Sequence, residues 1–151
     1  MKDILIEKMY EWSKKPYQKY FKKNKPWEID KYQLLAFPEE TLGFHIGCFL
    51  IKYNFDMQPQ LENHDVIHVL TNSGISVKEE IGMQYYLFGN NKKSIYLFTV
   101  IIIGTIVYPF HIKSFWKEYQ RGKKAHCFHY LNFSKMLYVP VKTIQDTFKI
   151  I

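Results

Sequence analysis

The sequence lacks several features that would place it in a common class of proteins. It has only two cysteines, Cys48 and Cys127, and no cysteine motif. A reduced intracellular chain is therefore the simpler interpretation, although one disulfide between them stays open. There is no low-complexity stretch and no internal repeat. The opening residues, MKDILIEKMYEW, are charged throughout and lack the apolar core and small-residue cleavage site of a signal peptide.

Long hydrophobic runs are also scarce. The longest, IYLFTVIIIGTIVYPF at residues 95–110, is shorter than a usual membrane span and contains Pro109 near its end. We expect it to form a helix that is buried on most sides. A buried strand and a membrane span are the alternatives, because an apolar run alone does not distinguish them.

Aromatic side chains and lysines are abundant. Aromatics make up 18% of the 151 residues, which indicates a large core or an apolar binding surface. The net charge of +7 is concentrated at residues 14–25 and 113–124, where lysines alternate with aromatic residues. This pattern favours attraction to an anionic membrane surface over nucleic acid, since no nucleic-acid-binding motif accompanies it. Two solvated helix faces are the alternative.

Helix signals dominate the rest of the chain. We predict an all-α fold, a compact bundle of about six to seven helices in a single domain over residues 1–151, with a basic helical segment at residues 1–30. After a connection at residues 24–31, the expected helices cover residues 38–54, 61–71, 76–89, 94–108, 112–120 and 123–133. Hairpin signals and a strict two-residue alternation are both missing.

Two of these helices meet at a turn that the sequence specifies in detail. Asn72, Ser73 and Gly74 supply a stop for the first helix. Ser76 and Glu79 then form a capping box, in which the serine caps the backbone and the glutamate reaches back to it. Glu79 should therefore point away from the core.

Charged groups next to this turn form the most informative cluster. His64 and His68 lie one helical turn apart on the same face, with Asp65 beside them. Glu80 lies at the margin of the apolar stripe of the next helix, where a carboxylate is rare unless it is paired or binds metal. If the turn folds the second helix back, Glu80 faces the histidines. Two imidazoles and one or two carboxylates can then hold a transition metal.

The alternative is that these are core-edge histidines with an aspartate that forms a salt bridge. Gln84, one turn past Glu80, either supports a metal ligand through a hydrogen bond or is an ordinary polar residue on the helix face.

The spacing H-D-x-x-H, then eleven residues, then Glu resembles the signature of the coenzyme Q (ubiquinone) biosynthesis protein 4 family. The motifs HVLT at residues 68–71 and P-E-x-T-L-G at residues 38–43 are also similar to that family, and a W-x₅-G-x₂-A pattern at residues 116–125 is a weaker match. The resemblance covers about residues 30–135 and suggests a distant bacterial-type member. It implies a metal site made of His64, Asp65, His68 and Glu80.

The resemblance also implies a function. It implies a helical protein on the cytoplasmic, inner face of the membrane, with a polyprenyl lipid in an apolar channel and other quinone-biosynthesis enzymes as possible partners. The implied chemistry is removal of the C1 carboxylate of a polyprenylated hydroxybenzoate with oxidation at that carbon. Zinc is the first expectation for the metal, with iron, manganese or magnesium as alternatives. We expect a homodimer, no nucleic-acid partner, and Gly104 as a place where the lipid tail passes close to the backbone.

Three rival functions remain open from the sequence. A non-catalytic scaffold that binds prenyl lipid would use the same metal site to fix two helices or the lipid head group. An HD-type phosphohydrolase would need His45, the His64-Asp65 pair and Asp146, and would leave His68 and Glu80 unused. A metalloprotease would need a glutamate directly after the first histidine, where this chain has Asp65.

Overall fold

The computed structural model describes residues 26–58 and 62–150. These residues form seven α-helices and two 3₁₀ turns, and they contain no β-strand. The predicted all-α bundle is therefore confirmed. Predictions for residues 1–25, including the basic cluster at 14–25, and for Leu61 lie outside the described residues. The helices are α1 Lys31–Leu35, α2 Leu42–Lys52, α3 Glu62–Thr71, α4 Val77–Gly89, α5 Ile95–Val107, α6 Ile112–Lys124 and α7 Val141–Phe148, with 3₁₀ turns at Pro109–His111 and Phe133–Met136.

Helix α4 is the element around which the bundle is organised. It packs against both α5 and α6, while α2 packs against α1 and α3, and α7 packs against α3. Eight of its residues are buried, including Glu80 and Gln84. A helix covered on so many sides gives its polar side chains fixed surroundings, which is what a binding site requires.

The contact between α4 and α6 is made backbone to backbone at two glycines. A Cβ added to Gly89 would collide with the carbonyl oxygen of Tyr119, and one added to Gly122 would collide with the carbonyl oxygen of Tyr86. Each glycine thus lies over the other helix's carbonyl. Only glycine permits so close an approach.

Asn90, the residue that ends α4, ties this crossing to the segment after α6. Its Nδ2 donates to the carbonyl oxygens of Gly122 (3.4 Å), Ala125 (3.4 Å) and His126 (3.0 Å), and its Oδ1 accepts from the backbone N–H of Phe128 (3.1 Å). One buried amide side chain thereby gives a partner to a carbonyl in the last turn of α6, where a helix end otherwise leaves carbonyls without partners, and to two carbonyls just after the helix.

The predicted start of the helix over residues 38–54 is right at Thr41 and wrong at the residues before it. The acids after Pro38 do not form its first turn. Instead Thr41 is the N-cap, and its Oγ1 accepts from the backbone N–H of Phe44 at 3.4 Å. Glu40 lies in the preceding turn, where its carbonyl accepts from the N–H of Val141 at 2.9 Å. The short helix α1 was not predicted, although Asp30 caps it with its own capping box.

The predicted helix over residues 123–133 was also wrong. Helix α6 continues through Gly122 to Lys124, and the chain is extended at Ala125. Gly122 serves the crossing with α4 and does not end a helix. Helix α7 was not predicted; it begins after Pro140 and buries Val141 and Ile144.

The expectation that residues 95–110 are buried on most sides was wrong as well. Only Leu97 and Gly104 of α5 are buried, and several of its isoleucines are exposed to solvent. In the described residues no single helix is long and apolar enough to cross a membrane. Helix α5 and the following segment Pro109–Lys124 reach the required length and apolar composition only when taken together, and the angle between them is 107°.

Candidate metal centre

The turn between α3 and α4 has the capping chemistry that the sequence predicts. Helix α3 ends at Thr71, and Asn72 takes the left-handed conformation with φ of 53°. Ser76 caps α4, and the carboxylate of Glu79 accepts from the Ser76 N–H at 3.0 Å and from its hydroxyl at 2.6 Å. A Cβ at Gly74 would displace that carboxylate, which is the far end of a side chain that can move, and the φ of Gly74 is not positive. The turn therefore does not depend strictly on glycine at this position.

This turn brings the predicted histidine pair against the predicted glutamate. His64 Nε2 lies 3.1 Å from His68 Nε2. Glu80 Oε1 lies 2.9 Å from His68 Nε2, and Glu80 Oε2 lies 3.3 Å from His64 Nε2. One ligand atom from each of the three residues lies within 4.8 Å of the others. Three donors from two helices therefore converge on one point.

These separations suit a divalent ion. Ligands about 2.0–2.1 Å from a tetrahedral zinc are about 3.3 Å apart, close to the observed distances. Two imidazole nitrogens and one carboxylate oxygen also match the set used by iron and related metals, with positions left for water or substrate. The donor set fits a metal without selecting one.

Electrostatics within the group favour a charged glutamate and a protonated histidine when no metal is bound. Burial acts to raise the pKa of Glu80, but the charges and hydrogen bonds of His64 and His68 outweigh it and hold that pKa well below its usual range. Burial acts to lower the pKa of His68, yet the hydrogen bond and charge of Glu80 raise it overall. A metal ion would replace the shared protons.

Contacts at Nδ1 and on the ring face of His68 fix the orientation of its imidazole. Its Nδ1, in the tautomer that carries a proton there, donates to the backbone carbonyl of Ser73 at 3.3 Å. The Ser73 hydroxyl lies 3.4 Å from the same nitrogen and 2.9 Å from Thr71 Oγ1. The ring of Phe49 stacks on the imidazole with centroids 5.3 Å apart. Such partners hold a ligand's free nitrogen toward the metal.

Asp65, the fourth residue of the signature, lies on α3 outside the group of three converging ligands. It is half-buried, and its charge contributes to the raised pKa of His68. A role for Asp65 as a direct ligand stays a prediction. Gln84 is buried one turn after Glu80 on α4. Its role also stays a prediction.

Gly104 lies in the contact between α5 and α4. A Cβ added there would meet the side chain of Ile81, with the nearest atom at 2.7 Å. The glycine therefore lets α5 approach the helix that carries Glu80. The lipid channel predicted to pass Gly104 remains a prediction.

The residues required for a phosphohydrolase do not come together. His45 is exposed on α2, and Asp146 is a surface residue whose carboxylate pairs with Lys142 at 2.5 Å. Neither belongs to the three-residue group at the turn.

Two features near the site carry no local signal in the sequence. Arg121 of α6 donates from Nη2 to the carbonyl oxygen of Thr71 at 3.3 Å and from Nη1 to Glu118 at 2.6 Å. Its guanidinium lies 5.4 Å from the centroid of the Tyr86 ring. Arg121 thus joins α6 to the end of α3, across a separation in sequence that no periodicity can detect. Ser73 was predicted only as part of a turn.

Comparisons with known proteins support the fold. No protein-family model matches the chain, and no curated protein matches it. The chain is similar to a solved structure from Nostoc punctiforme PCC 73102, a protein provisionally named as a ubiquinone biosynthesis protein. The TM-score is 0.65 at 19% sequence identity, and the match covers 84% of this chain and 70% of the other. At this identity the likeness shows a shared fold.

Proposed function

We propose that this chain acts in ubiquinone biosynthesis, where it removes the C1 carboxylate of a polyprenylated hydroxybenzoate with oxidation at that carbon. The observation that carries the proposal is the convergence of His64, His68 and Glu80, three of the four signature residues, at one point. The fold shared with the Nostoc protein supports the same pathway.

Each residue of the group has a distinct task. His64 and His68 supply neutral nitrogen ligands, and Glu80 supplies a carboxylate that stays ionised. Ser73 holds the second histidine in orientation. These three residues would hold a divalent ion, zinc first and iron, manganese or magnesium otherwise, and the ion would supply positive charge to stabilise the negative charge on the ring as carbon dioxide leaves.

The proposed reaction needs an electron acceptor. The bond between C1 and the carboxylate breaks, carbon dioxide leaves, and a hydroxyl takes its place, which removes two electrons from the ring. Imidazole and carboxylate side chains do not accept these electrons. We therefore name dioxygen as the oxidant, with water as the source of the hydroxyl and hydrogen peroxide as the second product.

The polyprenyl tail of the proposed substrate determines where in the cell the protein would work. A polyprenyl chain is insoluble in water, so we propose that it occupies an apolar channel and that the protein works on the cytoplasmic, inner face of the membrane. Association as a homodimer and with other quinone-biosynthesis enzymes belongs to the same proposal.

Two neighbouring glutamates give a matched pair of variants. Glu80→Gln removes a charge that contacts both histidines, whereas Glu79→Gln alters the capping box and leaves both contacts of Glu80 in place. With a prenylated hydroxybenzoate labelled at its carboxylate, the parent and Glu79→Gln should release labelled carbon dioxide at rates within about twofold. Glu80→Gln should be at least about 100-fold slower and should lose bound metal. Turnover by Glu80→Gln at the parent rate would refute the proposal.

A scaffold that binds prenyl lipid without catalysis is the second candidate, and one observation favours it. The three ligands come from both sides of the turn between α3 and α4, so a metal there would also fix two helices to each other. For a scaffold, prenyl lipid should co-purify and chelation should lower the melting temperature, yet no carbon dioxide should be released. Mass spectrometry of co-purifying lipid together with metal analysis tests both candidates.

A further inference from the structure

Helix α5 leaves one of its two apolar faces uncovered. Leu97, Ile101, Gly104 and Tyr108 recur at helical spacing and pack against the protein. The opposite face is also apolar but is exposed: Ile95 and Ile106 each retain 73% of their accessible surface. We call this exposed surface, with its continuation into α6, the apolar ridge; it consists of Ile95, Phe98, Ile102, Ile106, Phe110 and Trp116.

The apolar ridge changes direction at the 3₁₀ turn Pro109–His111, between α5 and α6. Phe110 lies in the 3₁₀ turn between α5 and α6 and is 96% exposed, more than any other large apolar side chain in the described residues. Trp116 continues the ridge on α6. Apolar residues grouped in this way on an exposed surface mark a site of interaction.

The charges in the segment that carries the ridge are almost all positive. Residues 91–124 contain seven lysines and arginines and a single acid, Glu118, which pairs with Arg121 at 2.6 Å. Lys113 and Lys117 are exposed on α6, and both lie within one helical turn of Trp116. Lys93 is exposed just before α5. The ridge is therefore an apolar surface bordered by cations.

We propose that the apolar ridge docks this protein on an anionic lipid bilayer. The isoleucines and Phe110 enter the acyl region, Trp116 lies at the interface, and the lysines meet the negative head groups. A second copy of this chain fits less well. A two-fold contact through the ridge would bring the lysines of both copies together, with no unpaired acid in residues 91–124 to oppose them.

Docking at the ridge would place α5 between the membrane and α4, the helix that carries Glu80. Gly104, on the covered face of α5, contacts Ile81, and Ile81 follows Glu80 directly in α4. The inference deepens the proposed function, because a polyprenyl substrate resides in the bilayer. It does not depend on the metal or on the reaction.

Co-sedimentation of the full chain with vesicles tests the proposal. One set of vesicles contains phosphatidylcholine with phosphatidylglycerol, and the other contains phosphatidylcholine alone. The parent should bind the anionic vesicles more tightly, and added salt should weaken that binding. Ile106→Ser with Phe110→Ser should reduce binding at least tenfold, and Lys113→Glu with Lys117→Glu should abolish the preference for anionic vesicles.

Exposed aromatic residues elsewhere provide the control. Tyr32 and Tyr130 are 67% and 69% exposed, and replacing both by serine should change vesicle binding by less than twofold. The ridge variant should keep its circular dichroism spectrum and metal content, because its altered side chains are exposed.

Two results would overturn the proposal. One is unchanged vesicle binding by the Ile106→Ser, Phe110→Ser variant. The other is a parent dimer that binds no vesicles and that the same variant converts to monomer, since the ridge would then join two copies. Either result, together with loss of turnover in Glu80→Gln, would leave the proposed function standing without this docking surface.

Discussion

Helices α3 and α4 bury charged groups, whereas α5 and the turn after it expose apolar ones. His68 keeps 2% of its accessible surface and Glu80 keeps 9%, while Phe110 keeps 96%. Hydropathy alone would place these side chains the other way round. The burial of each region is instead determined by its partners. Glu80 pairs with His64 and His68, whereas the exposed apolar surface of α5 has no partner within the described residues. Buried charge and exposed apolar surface are the informative exceptions to ordinary burial.

Removing one ligand tests the buried region most severely. We expect His68→Ala to take bound metal from one ion per chain to none, with affinity reduced by more than about 100-fold. Metal analysis after gel filtration measures this. Glu79→Ala is the control: it should keep its metal and lose only about 0.5–1 kcal/mol of unfolding free energy, as for other caps. Full metal retention in His68→Ala would mean that the group is not the metal site.

Two phenylalanines sharpen the comparison in energetic terms. Phe115 is buried against Tyr85, with ring centroids 5.4 Å apart, whereas Phe110 is exposed. Phe115→Ala should cost about 3–5 kcal/mol of unfolding free energy, because it opens a cavity. Phe110→Ala should change it by less than about 0.5 kcal/mol. Denaturant titration of both variants decides; a large loss for Phe110→Ala would show that this side chain is covered in the folded protein.

Two glycines test the crossing that supports the site. An added Cβ at Gly122 collides with the Tyr86 carbonyl, whereas one at Gly82 meets only Glu118 Cγ at 3.4 Å, an ordinary contact. Gly122→Ala should destabilise by about 1–3 kcal/mol. Gly82→Ala should be neutral or stabilising by up to about 1 kcal/mol, because alanine favours helix. Equal stability of the two variants in thermal unfolding would contradict the close approach.

Acidity should act in opposite directions on the metal-bound and metal-free protein. Burial lowers the pKa of His68, but Glu80 raises it above its usual 6.5 overall. Metal affinity should therefore rise about tenfold per pH unit until that raised pKa is passed, since the ion displaces a proton. Without metal, the protonated pair stabilises the fold fully below pH 6.5, and this contribution is lost as pH rises through the raised value. Calorimetric titration and metal-free melting curves measure the two trends; an affinity that does not change with pH would contradict the first.

Local chemistry explains what the sequence predicts well. The capping box at Ser76 and Glu79, the helical spacing of His64 and His68, and the turn between them involve residues close in sequence. Each has a short-range physical cause, and together they make Glu80 face the histidines.

Contacts between residues far apart in the chain explain what the sequence predicts poorly. Gly122 carries the usual signal of a helix end, yet its lack of a side chain is used by a helix that lies more than thirty residues earlier in the chain. The sequence does not distinguish the exposed face of α5 from its packed face, because the residues on both faces are apolar. The contact of Arg121 with Thr71 likewise depends on how α6 meets the end of α3.

The crossing of α4 and α6 has a mechanical consequence. Because backbone meets backbone at Gly89 and Gly122, this contact contains no side-chain torsion that can switch between states. The contact of α5 with α4 at Gly104 is made instead through a side chain, that of Ile81. We therefore expect the spacing between α4 and α6 to be held more strictly than the spacing between α4 and α5. Any opening that admits a lipid should leave the crossing unchanged, and its backbone amides should be among the last to exchange with deuterium.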